Sequence, residues 1–295
     1  MVNILLQKLF LFALSYSPLL FTHLLSSFLG RIYFIFGSKR KRITLKNLAI
    51  CFPDKEESWR NYIAKKSIIE FVKTILEAPY LWRVAKKDGN NLVKRIIGEE
   101  LLNPVSLKRE GLIILAPHHG CWELVGPFMA SKHPMVTMYR PQKNAVLDAY
   151  IKKGRQGYGM QVVPTNIQGV RELLRALQEK KIVGILPDHT PKEGEGILAP
   201  FFNQPANTPT LITSLASRSK VPVVTMFAKR LSFGRGFDIH VLKIDDALYS
   251  EDGMESILAV NRAVEDAVMH CPEQYFWSYA RFRNRGPSFT NLYKE

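Results

Sequence analysis

Between Gly111 and Gly126 the chain reads GLIILAPHHGCWELVG, and in it a histidine, His118, is followed five positions later by a carboxylate, Glu123. An imidazole held through one ring nitrogen by a carboxylate accepts a proton through the other, which is the chemistry of a general base. On one continuous helix, five residues set two side chains roughly 140° apart, so these two would not share a face. They meet only if His118 lies in a turn and Glu123 in the first turn of a helix behind it. Pro117 and Gly120 are suited to such a turn. A helix N-terminus also disfavours imidazolium and leaves the ring neutral, able to take a proton. On the hexapeptide alone an equal reading stands open, in which His118 and His119 are turn residues and Glu123 a solvated helix residue. A zinc site is a lesser rival: adjacent histidines project differently, and neither HExxH nor a CxxC pair occurs. Cys121, beside the proposed base, reads as a small packing residue rather than a nucleophile.

The elements around this stretch are those that place such a base. Leu112 to Ala116 is a short, continuous apolar run, the pattern of a strand buried on both faces. Pro117 ends it, because proline donates nothing to a ladder, and Cys121 to Ala130 reads as a helix. The histidine then sits at the carboxyl end of a sheet strand, where open α/β sheets hold their ligands. Downstream, strands are predicted at Met135 to Tyr139, Gln161 to Pro164, Ile182 to Leu186, Val221 to Ala228 and Phe237 to Leu242. Helices are predicted at Val146 to Arg155, Gln168 to Gln178, Pro209 to Ser217 and Met254 to His270. The alternation implies an α/β fold with a mixed, largely parallel sheet flanked by helices. Arg140 and Asp188 fall at strand ends and Arg155 closes the helix between them; arginines there suit bidentate grip of a phosphate or carbonyl. For each, a surface ion pair is the competing reading. Gly194 to Asn207, punctuated by glycine and proline, reads as a loop.

Residues 1–37 form the second informative region. Leu9 to Gly30 carries no Asp, Glu, Lys or Arg, and a helix of that length spans roughly 33 Å, enough for a bilayer core. Pro18 and His23 make it imperfect. A membrane anchor is favoured over a signal peptide, whose apolar core is shorter, and over a buried or interfacial helix. Lys39 to Arg42 follows it, against Lys8 alone before it, so the positive-inside rule puts the body in the cytoplasm, with a single-pass anchor in the inner membrane. Ser58 to Lys87 is helical in pattern, and Asp88 to Asn91 signals a turn. The predicted organisation is an anchor over 1–37 and one domain over 38–295, divided into a leading helical region, 38–100, and an α/β core, 101–295. The net charge of +15 calls for anionic partners. Three cysteines, Cys51, Cys121 and Cys271, make no disulfide framework and point to a reducing compartment. No Walker A sequence or serine elbow is present. The aromatic and arginine residues of YFWSYARFRNR read better as a membrane-interface and packing strip than as a nucleic-acid platform.

His118-x4-Glu123 resembles the His-x4-Asp/Glu motif of glycerolipid acyltransferases, and the chain is similar, more specifically, to the bacterial lipid A lauroyl/myristoyl acyltransferases. The likeness includes NLAICFP at Asn47 to Pro53, APHHGCWE, YRPQKN at Tyr139 to Asn144, Arg155 with Gly159, ILPDHT around Asp188, APFFNQPANTPT from Ala199 and PEQYFWSYARFRNR from Pro272 to Arg285. One departure stands out: the family commonly reads Asp-Gln where this chain has Asp188-His189. The resemblance implies a glycerol-3-phosphate acyltransferase-like fold and an inner-membrane O-acyltransferase. It implies acyl-acyl carrier protein as donor, a phosphorylated lipid A precursor as acceptor, and neither cofactor, metal nor nucleic acid. His118 would be the base, Glu123 its orienting carboxylate, and backbone N–H groups or an arginine the oxyanion donors; Arg140, Arg155 and Asp188 become substrate-binding residues. A different acceptor (a glycolipid mannoside, an aminolipid or a lysophospholipid) fits the same chemistry. A tethered non-enzymatic binder of anionic polymers and a metal hydrolase stand further off.

Overall fold

Each residue of Leu112–Leu115 is buried, and successive side chains enter different cores. Leu112 and Ile114 face one cluster, and Ile113 and Leu115 face the other. A two-residue period explains this: a strand covered on both sides has no solvent face, so it reads as an unbroken apolar run. The computed structural model describes residues 2–37, 39–103, 108–286 and 292–293. In chain order the elements are α1 (Val2–Tyr16), α2 (Leu19–Ile35), α3 (Lys39–Cys51), α4 (Glu57–Leu92), β1 (Val93–Ile97), β2 (Leu112–Leu115), α5 (Trp122–Ala130) and β3 (Met135–Tyr139). Then come α6 (Ala145–Gln156), β4 (Met160–Pro164), α7 (Ile167–Gln178), β5 (Ile182–Ile185), β6 (Gly196–Phe201), β7 (Gln204–Pro209), α8 (Leu211–Ser219), β8 (Val223–Arg230), β9 (Phe237–Lys243) and α9 (Gly253–His270).

The main sheet has the order β1-β9-β8-β2-β5-β3-β4 and is parallel at every pairing except β8 with β9. One face is packed by α4 and α5, with Leu124, Val125, Phe128 and Met129 against Ile114 and Ile182. The other is packed by α7, α8 and α9, with Leu173, Leu215, Val260 and Val264 against Ile113 and Val183. The α/β architecture and every strand and helix expected downstream of the histidines are present, with ends shifted by a few residues.

Three departures have physical causes. The Gly194 to Asn207 segment contains the antiparallel hairpin β6–β7 rather than a loop. Its prolines are tolerated because the pair stands apart from the main sheet, and Phe202 and Asn203, both at positive φ, make its two-residue turn. The turn expected at Asp88 to Asn91 is absent, since α4 runs on to Leu92. Residues 9–30 do not form one helix. Pro18 separates α1 from α2, as its ring and missing N–H require, and among the described residues no single helix is long and apolar enough to cross a membrane.

Instead α2 lies along α4. Gly30 makes the approach possible, since a Cβ there would collide with the Ile69 backbone. His23 faces the body, its Nε2 2.8 Å from Glu77 Oε2 on α4. Glu77 in turn takes Arg230, the last residue of β8, which also donates to Glu70 at 2.6 Å and to the Thr74 hydroxyl at 2.8 Å. This buried cluster joins the N-terminal helix, α4 and the sheet. The outward side of α1 and α2 remains apolar and exposed, at Leu6, Phe10, Phe21, Leu24 and Phe28.

Burial acts to raise the Glu77 carboxyl, but Arg230 and the His23 hydrogen bond override it and hold the group at about 2, below the ordinary 4.5. A depressed carboxyl stabilises the fold above the unfolded value and loses that contribution as pH falls toward the folded one. The Tm difference between wild type and Glu77→Gln in detergent solution is therefore expected to be large at pH 7 and smaller at pH 3, the stability gap narrowing by on the order of 2 kcal/mol. An equal gap at both pH values would contradict the ion-pair account.

Candidate active site

Strands β2 and β5 are parallel neighbours, with Leu115 opposite Ile185. The ladder continues one residue further, where Ala116 N–H donates to the Ile185 carbonyl at 2.8 Å. Both strands are then stopped by a proline at the same offset, Pro117 and Pro187, and the next residues, His118 and Asp188, emerge side by side. Asp188 accepts twice from His118: the backbone N–H reaches Oδ2 at 2.9 Å and ring Nδ1 lies 2.8 Å from Oδ1. With Nδ1 engaged, Nε2 is the nitrogen left to accept a proton. The Asp188 side chain is 2% exposed and that of His118 13%, so the carboxylate is sealed while the imidazole reaches solvent. Burial acts to raise the Asp188 carboxyl; its pairing with His118 outweighs this and holds it well below the usual carboxylate range. The carboxylate remains ionised across all working pH.

The carboxylate on the ring is thus Asp188, where the spacing had suggested Glu123. Glu123 does lie in the first turn of α5, as expected. That turn packs against α4 and α6, and its carboxylate is taken there by Arg155, at 2.6 Å to Oε1 and 3.3 Å to Oε2, and by the Trp82 indole N–H at 3.1 Å. Burial acts against the Arg155 charge, but Glu123 more than offsets it and raises the guanidinium above its ordinary value. Arg155 also lies 5.2 Å from the Tyr139 ring centroid. Arg140 follows β3 as an exposed side chain at the same sheet edge.

His119 is a different kind of group from its neighbour. It is fully buried, its Nε2 lies 3.2 Å from the Cys271 Sγ, and burial pushes it down to about 3. Cys121 is fully buried and its thiol is pushed well up by that burial, as befits packing. All four turn N–H groups are committed: His118 to Asp188, His119 to the Pro117 carbonyl, Gly120 to the Gln274 carbonyl and Cys121 to the Ala228 carbonyl. Gly120, at φ 59°, carries this crowding because a Cβ would overlap the Ala228 carbonyl oxygen.

The chain's last elements close over the turn. Phe276 N–H donates to the His118 carbonyl at 3.1 Å, and Ser67 on α4 holds the Tyr275 carbonyl at 2.7 Å. Asn47, from the NLAICFP run, donates to the Trp277 and Tyr279 carbonyls at 2.7 Å each. Three residues of the surroundings escaped the sequence reading. His189 and Phe276 flank the His118 ring, and Arg40, from the basic run, sits 4.6 Å over Phe71, which stacks on Phe276. LAPHH and ILPDH are two apolar strands ending in the same Pro-x-His pattern, and the pairing of β2 with β5 brings those two ends together.

A family model described as bacterial lipid A biosynthesis acyltransferase matches residues 2–284. The chain belongs to that family, and it is an acyltransferase. It is similar to the Escherichia coli K12 lipid A biosynthesis lauroyltransferase, 24% identical over 271 residues that cover 90% of this chain and 86% of that one. The Escherichia coli K12 lipid A biosynthesis myristoyltransferase is 26% identical over 272 residues, covering 90% and 82%. The palmitoleoyltransferase of the same organism is 25% identical over 266 residues, covering 88% and 83%.

Asp188→Asn keeps the shape of the pair but presents an amide to Nδ1. The expected result is a fall in kcat of roughly 10²- to 10⁴-fold with little change in KM, the signature of a lost proton-transfer geometry. A kcat within twofold of wild type would separate Asp188 from the chemistry.

Proposed function

We propose that this acyltransferase moves a fatty acyl chain from acyl-acyl carrier protein to a hydroxyl of a phosphorylated lipid A precursor, with His118 as general base. The observation that carries the reading is the His118–Asp188 pair at the carboxyl ends of β2 and β5, with Nδ1 bonded, no hydrogen bond to Nε2 among the described residues and the ring partly open to solvent. The acceptor hydroxyl gives its proton to Nε2 as its oxygen attacks the thioester carbonyl. The tetrahedral oxyanion then collapses, breaking the C–S bond, and the leaving thiolate takes the proton back from the imidazolium. No acyl-enzyme forms. Because the turn N–H groups are committed, oxyanion stabilisation falls to a cation, and Arg155, aligned by Glu123, is the one we assign. Arg140 and Arg40 are assigned to the acceptor's phosphates. The net charge of +15 supports attraction of an acidic carrier and an anionic lipid.

The exposed apolar side of α1 and α2, followed by Lys39 to Arg42, supports attachment of residues 1–37 to the cytoplasmic face of the inner membrane. A helix pair laid along α4, with Ser15 against Arg83, His23 against Glu77 and Gly30 against Ile69, fits a seat in the interface plane better than a single pass. Replacing Leu24 and Phe28 by glutamate is expected to cut cosedimentation with anionic phospholipid vesicles at least tenfold while the circular dichroism spectrum is unchanged; undiminished binding would remove these helices from the membrane role.

His118→Ala is expected to lower turnover by at least 10³-fold, with lauroyl-acyl carrier protein and an underacylated lipid A precursor followed by mass spectrometry. Full transfer by the purified variant would refute the mechanism, and acylation of a different lipid in preference would move the acceptor assignment.

A further inference from the structure

His189 follows Asp188 directly, and its ring lies parallel on that of His118, with centroids 3.8 Å apart and planes inclined by 4°. Tyr279 covers its far face at 4.0 Å and 14°. His118 is the outermost plate of a three-ring pile, with the edge of Trp122 5.3 Å from it. The inner plate is anchored: the Tyr279 hydroxyl accepts from Thr190 N–H at 3.0 Å and from Arg283 at 2.9 Å, and its carbonyl accepts from Asn47. Position 189 is thus filled by a planar group clamped between a fixed aromatic and the base.

We propose that His189 is a positioning residue: a neutral ring whose stacked face fixes the plane of His118 and carries part of the imidazolium charge while the proton resides there. The inference rests on the reading of His118 as the base. One motion that the hydrogen bonds leave free makes it necessary. The Asp188 contacts fix Nδ1 and the backbone, but a ring held at one nitrogen still tilts about that bond, and only contact on its faces prevents this. Once protonated, the ring is a cation over a polarizable π-face, an attraction that strengthens on charge transfer and so acts on the transition state rather than on substrate binding.

The groups around His189 keep it neutral. Burial, then His118 itself, and then Arg281 and Arg283 push it down, and Asp188 alone pushes it up; the outcome is about 3, against the ordinary 6.5. Tyr279 supplies the other face, and Phe276 lies tilted beside the ring at 6.4 Å. Among the described residues its buried Nε2 has no hydrogen-bond partner, so the side chain's engagement with the site is through its face. A small cavity bordered by Asn47, Asp188, Tyr275 and Arg281 lies beside it.

The test measures kcat, KM and the acid limb of the pH profile for full-length His189→Ala and His189→Phe in detergent, with lauroyl-acyl carrier protein and an underacylated lipid A precursor. Thermal unfolding of each variant checks its folding. The alanine variant is expected to lose roughly 5- to 20-fold in kcat with KM unchanged. The phenylalanine variant, which restores a ring but no nitrogen, is expected to recover kcat to within about threefold of wild type, its acid-limb midpoint unmoved. A folded phenylalanine variant as impaired as the alanine one overturns the inference in favour of a nitrogen-borne role, and full activity of the alanine variant overturns it outright. His118→Ala measured alongside keeps the two readings separable: its activity would defeat the base, whereas its inactivity together with loss in both position-189 variants defeats only the stack.

Discussion

Pairing of β2 with β5 is the constraint on which the site depends. Parallel register is all-or-none in its effect: a slip of one residue turns every side chain to the opposite face. Here Leu115 opposite Ile185, continued by the Ala116 hydrogen bond, brings two prolines into line and then a histidine against an aspartate. The apolar side chains of the two strands, four in β2 and three in β5, lock that register, because any shift would expose one core to the other's side chains. The His118–Asp188 pair is in this sense a by-product of hydrophobic pattern, and its accuracy is inherited from the sheet.

Asp188, Glu123 and Glu77, all buried or half-buried, serve different ends. Asp188 takes an imidazole, and its ionisation gives the ring its direction. Glu123 takes a guanidinium and a tryptophan, so its effect passes through Arg155 to whatever that cation touches. Glu77 faces Arg230 and His23 and joins the N-terminal helix to the sheet. Burial opposes the charge in Asp188 and Glu77 alike, and the partner decides the outcome.

The main α/β frame was legible because its signals are local. Period-two burial, strand-stopping prolines and amphipathic helices located the elements downstream of the histidines within a few residues, whereas β1, inside the stretch expected to be helical, was not anticipated. His118 was legible for the same reason, as a histidine just beyond a strand. Its carboxylate was not: Glu123 is close in sequence, while Asp188 is 70 residues away and adjacent only through strand order, which no local pattern encodes. The β6–β7 hairpin was hidden by Pro200, Pro205 and Pro209, since a pair outside the main sheet escapes the rule that excludes proline from strands. The N-terminal segment misled in the opposite way. Its composition suits a bilayer, and only Pro18 and His23 announced a break and an inward face.

Asn47 and the carbonyls it holds are separated by 230 and 232 positions, and Ser67 waits for Tyr275 across 208. Such closures are entropically slow and cannot precede synthesis of the final segment. A chain emerging N-terminus first presents its apolar helices long before the strap over the histidine turn exists. The order of synthesis therefore imposes a sequence on maturation: the apolar N-terminal helices are made early, and the His118 turn is framed only once the segment that carries Tyr275, Trp277 and Tyr279 has been added.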